Sequence, residues 1–138
     1  MTTSKQQFHD LSSSFLKAAE LLNSQGQFHA SYYLAGYAVE CALKAYICTL
    51  SLKDTFPPKR VEKSHYIHDF VTLIDTANLK RIFDTAKDGD KNLNTAFSII
   101  KDWSPDIRYD EISMDAKKPN DFILATKEFL KWLQTNYS

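Results

Sequence analysis

The stretch that decides the fold is HASYYLAGYAVECALKAYICTL, residues 29–50. Apolar residues cover nearly the whole circumference of the helix it would form, and a helix that is apolar all round is a buried one. Its only full charges are Glu40 and Lys44, at the i,i+4 spacing and in the acid-first order that pair best on a helix. Gly36 costs up to about 1 kcal/mol of helix propensity, so we expect a neighbouring helix to approach closely there. The stretch therefore predicts a central, buried helix.

Helical patterns flank the central stretch, and the segment before it is amphipathic. Ser4 and Gln7 form a capping-box pattern, in which a hydroxyl and an amide side chain satisfy two backbone N–H groups at a helix start. Apolar residues then recur at three- and four-residue intervals, and Gly26 is placed to end the helix. The segment 51–67, which contains two adjacent prolines, shows no sustained period and is predicted to be a loop.

The second half of the chain predicts further helices. A short helix is expected from Phe70, followed by another turn or two, and a longer one from about Lys91 to near Trp103, since Pro105 follows. Pro119 is placed at the first position of the last helix, where its missing N–H has no cost. Four long helices and an additional short one predict an all-α fold, an antiparallel four-helix bundle packed around the second helix.

Composition limits the domain organisation and the class of partner. The 138 residues fit one domain, 1–138, and 17 basic residues equal 17 acidic ones, so no overall charge draws the protein to nucleic acid or to an anionic membrane. Cys41 and Cys48 lie inside the apolar stretch and are expected to be core residues in a reducing compartment. The sequence shows no signal peptide and no membrane span, which predicts a cytoplasmic protein.

Glu40 and Lys44 are the first candidate site residues. The motifs of standard hydrolase, phosphate-binding and zinc sites are missing from the sequence, so no metal and no cofactor is predicted. Two charges taken out of water are costly unless they are paired. The two residues either form a functional ion pair at a cleft or reach the rim of the buried helix and bridge to a neighbour such as Arg108.

Arg108 and Tyr109 follow a predicted helix end. A guanidinium group binds phosphate through two parallel hydrogen bonds, and a tyrosine ring offers a flat surface for a nucleobase. Loop residues also carry function more often than core residues do. The alternative is a structural tether, in which Arg108 pairs with Glu40 or Asp110 while Tyr109 closes the end of the bundle.

His65 and His68 lie at the start of the predicted third helix, where helical spacing puts both imidazoles on one side. General acid–base chemistry or metal binding uses such pairs, but two His without a further ligand more often serve in capping or packing. The preceding loop is locally basic, which favours RNA or a nucleotide phosphate unless the loop is simply solvated. Its basic residues are Lys53, Lys59, Arg60 and Lys63.

The stretch from Tyr33 to Ile47, followed by His68-Asp69-Phe70 and later by Ile107-Arg108-Tyr109, resembles the HEPN domain family over nearly the whole chain. Members of that family are small antiparallel helical bundles, commonly dimeric. They often occur beside minimal nucleotidyltransferases in toxin–antitoxin and defence systems. The resemblance implies a HEPN-like fold, a homodimer, a nucleotidyltransferase as protein partner, and a nucleotide or RNA as ligand.

The resemblance also bears on catalysis. Many ribonucleases of the family carry an Arg followed a few residues later by a His, but no His follows Arg108 in this chain. A non-catalytic module is therefore expected. In such a module Arg108 holds phosphate and Tyr109 stacks on a base, while the residues that shape the cleft are Glu40, Lys44 and His68.

Two alternatives stay open beside the binding module. Arg60 and His65 have the spacing of the nuclease pair, although they fall in the loop after the central helix. One alternative is therefore a metal-independent ribonuclease that uses Arg60 with His65 or His68 as acid and base. The other is a structural interaction domain, in which the polar residues serve dimer packing and a protein partner.

Overall fold

The computed structural model of the chain describes residues 3–50, 55–56, 69–104 and 114–136. Six α-helices lie within these ranges. They are α1 (Lys5–Ser24), α2 (Phe28–Ile47), α3 (Phe70–Thr76), α4 (Lys80–Gly89), α5 (Lys91–Ile100) and α6 (Lys117–Gln134). A 3₁₀ turn, Cys48–Leu50, continues α2. The predicted all-α helical bundle is confirmed.

Helices α1 and α2 form an antiparallel hairpin. The Ser12 hydroxyl of α1 donates to the carbonyl of Ala38 in α2 at 2.7 Å, and the Ser31 hydroxyl of α2 donates to the carbonyl of Ala19 in α1 at 2.6 Å. The residue numbers of the contacts therefore rise along α1 as they fall along α2, which is the pattern of two antiparallel helices. Small side chains at these positions allow the two backbones to approach closely.

Helix α2 is the centre of the bundle. It packs against α1, α3 and α6, and 13 of its 20 residues are buried. The Tyr32 ring meets Phe122 of α6 edge-on, with 4.8 Å between the centroids, and the Tyr46 hydroxyl donates to the carbonyl of Asn136 at 3.3 Å. The residue numbers of these contacts increase together along both helices, so α2 and α6 run parallel. The central position predicted for the second helix is confirmed.

Local sequence explains several helix ends. The Ser4 hydroxyl accepts a hydrogen bond from the Gln7 N–H, and the Gln7 side chain accepts one from the Ser4 N–H, so the predicted capping box is confirmed. Gly26, two residues after the end of α1, has a φ of +79°, which glycine adopts without steric cost. Asp69 and Asp90 cap α3 and α5 through their carboxylates.

Helix boundaries differ from the prediction at three places. Helix α6 begins at Lys117, so Pro119 is its third residue and not its first. The proline still fits, because the first four N–H groups of a helix have no helical partner. Helix α5 ends at Ile100 and not near Trp103. The turn or two predicted after α3 is the separate ten-residue helix α4, so the described part of the chain holds two short additional helices where one was predicted.

A two-residue ladder joins the chain before α1 to the segment after α2. The strand β1 (Thr3–Ser4) runs antiparallel to β2 (Thr55–Phe56), with Thr3 opposite Phe56. This pairing interrupts the loop predicted for 51–67, whose other residues lie outside the described ranges. Ser4 therefore both caps α1 and takes part in the ladder.

An aromatic cluster fills the core between α4, α5 and α6. The Phe83 ring of α4 contacts Phe97, Phe129 and Trp132, with centroid distances of 4.8, 5.6 and 4.8 Å. Phe129 is fully buried, in line with the inward face predicted for the last helix. The cluster packs α4, α5 and α6 against one another, and its four rings are not among the polar groups near α2.

Candidate functional site

Two opposite charges lie inside the bundle, on its central helix. The Lys44 ammonium donates to the Glu40 carboxylate at 3.2 Å, and these side chains are only 7% and 6% exposed. Removing each charge from water costs several kcal/mol, which only close and well-oriented partners offset. The predicted pairing is confirmed. Arg108, to which the alternative interpretation linked the pair, lies outside the described residues.

Two tyrosines share the face of α2 that carries this pair. Helical spacing aligns Tyr33 and Tyr37 with Glu40 and Lys44, at intervals of four, three and four residues. The two half-buried tyrosines have their hydroxyl oxygens 3.4 Å apart, and their rings meet edge to face at 5.0 Å between centroids. We call these four residues the polar face of α2. It combines an ammonium group, a carboxylate and two hydroxyl groups within about three helical turns.

The indole of Trp103 lies directly on Gly36, beside the polar face. A Cβ atom at position 36 would be 1.8 Å from the indole Cε2, so only glycine fits beneath the ring. The indole N–H donates to the carbonyl of Tyr32 at 3.2 Å, and the ring stacks on Phe70 at 5.4 Å with 10° between the planes. The structure confirms a close approach at Gly36, but the neighbour is the side chain of Trp103, after the end of α5, and not the helix that the sequence predicted.

Three parts of the chain meet beside the polar face. The Trp103 ring contacts Tyr37 edge-on, at 5.2 Å between centroids and 81° between planes. Phe70 opens α3, and Trp103 follows the end of α5. The predicted site residue His68 precedes Phe70 by two positions, and Arg108 follows Trp103 by five. Phe70 and Trp103 therefore meet beside this face.

Most of the predicted site residues lie outside the part of the chain that the structure describes. Those outside the described ranges are Arg60, His65, His68, Arg108 and Tyr109. Their roles stay predictions. Glu40 and Lys44 are described, and the structure brings them together. Asp69 caps α3, since its carboxylate accepts from the Val71 N–H and the Thr72 hydroxyl.

Sequence reasoning missed Tyr33, Tyr37 and Trp103 as parts of this site. The two tyrosines stand at helical spacing from Glu40, which is a local signal that could have placed them on one face. Gly36 indicated a close neighbour but did not name it. A contact between residues so distant in the chain leaves no periodic pattern in the sequence.

The Cys41 thiol lies next to Glu40 but is expected to be unreactive. Burial and, less strongly, the Glu40 carboxylate raise the pKa of this thiol to about 12, while Lys44 acts in the opposite direction. A protonated, buried thiol is a poor nucleophile and a poor metal ligand. Cys48 is buried as well, and neither residue is in a disulfide. The core role predicted for both cysteines is confirmed.

A separate small cavity lies where α1, α2 and α6 meet. Its volume is about 130 Å³, and its polar lining includes His9, Ser12 and Gln134. Burial lowers the pKa of His9, the nearby Lys5 lowers it further, and Asp10 opposes the shift. The imidazole is therefore largely neutral at physiological pH.

The described ranges show neither a metal site nor a membrane-spanning helix. No three His, Cys, Asp or Glu side chains within them are grouped to hold an ion. No helix there combines the length and the apolar character needed to cross a lipid bilayer. Comparisons with protein-family models, curated proteins and solved structures give no match for the chain. The polar face of α2 must therefore be interpreted from its own chemistry.

Proposed function

We propose that this chain is a HEPN-type module that binds a nucleotide or a segment of RNA without cleaving it, and that it acts as a homodimer. The family assignment rests on the resemblance carried by the stretch from Tyr33 to Ile47. The helical bundle around α2 is compatible with it. The same resemblance suggests a nucleotidyltransferase as protein partner, in a toxin–antitoxin or defence system.

The buried pair of Glu40 and Lys44 is the observation that carries the proposal. Replacing a buried ion pair by apolar residues of similar volume is often neutral or stabilising, so stability alone does not explain the pair. The same face of α2 also carries the hydroxyl groups of Tyr33 and Tyr37, which adds hydrogen-bond donors and acceptors for a ligand. An ammonium group binds phosphate, and carboxylate and hydroxyl groups bond to a ribose or a base.

The remaining roles belong to residues of the flanking segments. Arg108 holds phosphate through paired hydrogen bonds, Tyr109 stacks on the base, and His68 borders the cleft. Trp103, seated on Gly36, ties the chain that leads to Arg108 to the central helix.

The proposal assigns binding and no cleavage. Metal-independent cleavage of RNA needs a positioned general acid and base. No His follows Arg108 in the chain, in contrast to the nucleases of the family it resembles. The Cys41 thiol, with a pKa raised to about 12, does not supply a substitute.

Isothermal titration tests the proposal with the intact chain and a panel of AMP, ADP, ATP, GTP and a short single-stranded RNA. We expect heat of binding from at least one of these probes. Arg108→Ala should weaken that binding by about tenfold or more, because a charged hydrogen bond contributes about 1.5–3 kcal/mol. Arg81→Ala is the matched control, since Arg81 is exposed on α4, and it should leave the affinity unchanged.

Three outcomes would contradict the proposal. The first is that none of the probes binds. The second is that Arg108→Ala binds as tightly as the unchanged chain, which would remove Arg108 from the site. The third is that the RNA is cleaved and that His65→Ala abolishes the cleavage, which would establish the ribonuclease alternative.

A further inference from the structure

An open cleft lies where the first turn of α6 meets α2 and the end of α5. Its volume is about 310 Å³, and small-molecule sites span roughly 300–1,000 Å³. The residues that line it are Tyr32 of α2, Ile99 of α5, Asp115, and Lys117, Lys118 and Asp121 of α6. The cleft shares no residue with the polar face of α2, so it is a separate surface.

Tyr32 brings a hydroxyl group without a partner to this cleft. The residue is only 5% exposed, and a buried tyrosine hydroxyl usually has a hydrogen-bond partner, because leaving it unpaired costs free energy. Within the described ranges no group bonds to this hydroxyl. It is not among the fully enclosed unpartnered atoms of those ranges either, so it reaches the surface, and Tyr32 lines the cleft. Phenylalanine would fill the same space without the cost, so packing does not explain the hydroxyl.

The Tyr32 ring is held in place and carries a cation on its face. Phe122 meets the ring edge-on, and the Trp103 indole bonds to the carbonyl of the same residue. The Lys118 ammonium lies over the ring, 5.1 Å from its centroid, where the aromatic face attracts a positive charge. Burial and, less strongly, the Asp102 carboxylate raise the pKa of Tyr32, so its hydroxyl stays protonated and can donate.

The charged groups of the cleft are paired unequally. The Lys117 ammonium pairs with Asp121 at 2.7 Å, and the Asp115 carboxylate accepts from the Lys117 N–H at 3.1 Å. No carboxylate in the described part of the chain forms an ion pair with Lys118. Both lysines also stand in the first turn of α6, where the helix dipole favours anions over cations. An anion bound in the cleft would offset this unfavourable arrangement.

From these groups we infer that the cleft binds a small carboxylate with an apolar body. The carboxylate accepts from the Lys118 ammonium and the Tyr32 hydroxyl, and the apolar body lies against Ile99, which is 38% exposed. A phosphate monoester fits less well, because it carries a second negative charge. Asp115 and Asp121 line the same cleft and repel that charge. The inference goes beyond the proposed nucleotide site and uses none of its residues.

NMR titration of the intact chain with benzoate tests the inference. We expect a dissociation constant of about 1 mM or below. Benzamide, which has nearly the same shape but no charge, should bind at least about tenfold more weakly. Phenyl phosphate should bind at least about threefold more weakly than benzoate, because its second charge meets the two carboxylates of the cleft.

Tyr32→Phe removes only the hydroxyl group. It should raise the dissociation constant for benzoate by about tenfold or more, the contribution of a hydrogen bond to a charged group. The melting temperature should stay the same or rise, because no bond within the described ranges is lost. Tyr46→Phe is the matched control on the same helix, since the Tyr46 hydroxyl donates to the carbonyl of Asn136. It should lower the melting temperature and leave the affinity for benzoate unchanged.

Lys118→Met removes the cation and keeps a long side chain. It should also weaken the binding of benzoate by about tenfold or more. Lys131→Met is its control, because Lys131 is an exposed lysine in the last turn of the same helix. That variant should bind benzoate as the unchanged chain does. Circular dichroism checks that all four variants keep their helices.

Three results would overturn the inference. One is that benzoate does not bind at concentrations up to about 20 mM. Another is that phenyl phosphate or benzamide binds as tightly as benzoate, which would show that the cleft does not select a carboxylate. The last is that Tyr32→Phe or Lys118→Met binds benzoate as tightly as the unchanged chain. None of these results bears on the proposed nucleotide site, which the titrations of Arg108→Ala test separately.

Discussion

Towards α1, the central helix presents small residues, whereas its polar face carries long, charged and aromatic side chains. On the α1 side, Ala38 and Ser31 are fully buried, and serine hydroxyls bond directly to the carbonyls of the neighbouring helix. On the polar face, a carboxylate and an ammonium group are buried beside two tyrosines. Helix packing alone explains the first side, because small residues let two backbones come close.

Packing does not explain the second side. Replacing a buried ion pair such as Glu40 and Lys44 by apolar residues of similar volume is often neutral or stabilising. Trp103 also takes up a position there that only a glycine permits. The two sides therefore differ in the kind of interaction they contain, and substitutions on each side can measure that difference.

The largest expected effect is at Gly36. Gly36→Ala places a Cβ atom 1.8 Å from an indole that is fixed by a hydrogen bond and by stacking. The indole ring must move away from position 36. We therefore expect a loss of about 4 kcal/mol in the free energy of unfolding, close to the cost of deleting a buried tryptophan. The gain in helix propensity, about 1 kcal/mol, is smaller. Urea unfolding followed by circular dichroism measures it.

Gly89→Ala is the matched control for that substitution. Gly89 also lies within a helix, but no atom lies within 4 Å of the added Cβ. The control should be neutral or slightly stabilising. Equal losses at both glycines would show that the contact with Trp103 does not determine the effect.

The next effect is at the buried ion pair. Lys44→Met removes the ammonium group 3.2 Å from the Glu40 carboxylate while keeping a long apolar side chain. We expect a loss of about 3 kcal/mol, because breaking a buried pair leaves a costly charge in the interior. Adding Glu40→Gln should recover part of that loss. The same urea experiment measures both variants.

Lys80→Met is the control for the ion pair. Lys80 and Asp84 have the same i,i+4 spacing and a similar distance of 3.0 Å, but the lysine side chain is 63% exposed. Exposed pairs of this kind contribute about 0.3–0.5 kcal/mol. If Lys44→Met costs no more than Lys80→Met, the polar face has no special electrostatic character.

A smaller effect is expected on the α1 side. Ser12→Ala and Ser31→Ala each remove one hydrogen bond to a carbonyl and leave a small residue that still fits. We expect about 1 kcal/mol for each, the typical net contribution of a neutral hydrogen bond. Ser14→Ala, at an exposed position of α1, should have almost no effect. If either serine variant lost more free energy of unfolding than Lys44→Met, the contrast between the two sides of α2 would be reversed.

The smallest expected effect is a dependence on pH at the cavity near α1. Because burial lowers the pKa of His9 below its ordinary value of 6.5, the unfolded chain binds more protons there than the folded chain does. Stability therefore rises with pH in this range, and it falls as the pH drops through the unfolded pKa. His9→Gln should flatten this slope. Thermal unfolding of both chains between about pH 8 and pH 5 measures the difference.

Local patterns predicted the parts of the molecule that local interactions determine. The capping box at Ser4 and the pairing of Glu40 with Lys44 each involve residues three or four positions apart, and both are confirmed. The start of α6 was misplaced, because Pro119 is tolerated anywhere in the first turn and so does not fix the boundary.

Distant contacts escaped prediction for a physical reason. Gly36 predicts a close neighbour, but the contact with Trp103 depends on how α5 and α2 come together, and no local pattern identifies that residue. The tyrosines of the polar face escaped prediction for another reason. An all-round apolar pattern does not indicate which side of a helix meets which neighbour. The roles of Arg108 and Tyr109 stay predictions.

The hydrogen bond from Trp103 to Tyr32 has a consequence for the order of folding. It joins residues 71 positions apart, whereas the serine contacts between α1 and α2 span 26 and 12 positions. Closing a longer loop costs more chain entropy, so we expect the α1–α2 hairpin to form early and the indole to dock late. In a Trp132→Phe chain, the emission of Trp103 would then mark the completion of the tertiary structure, after most of the helical signal has already appeared.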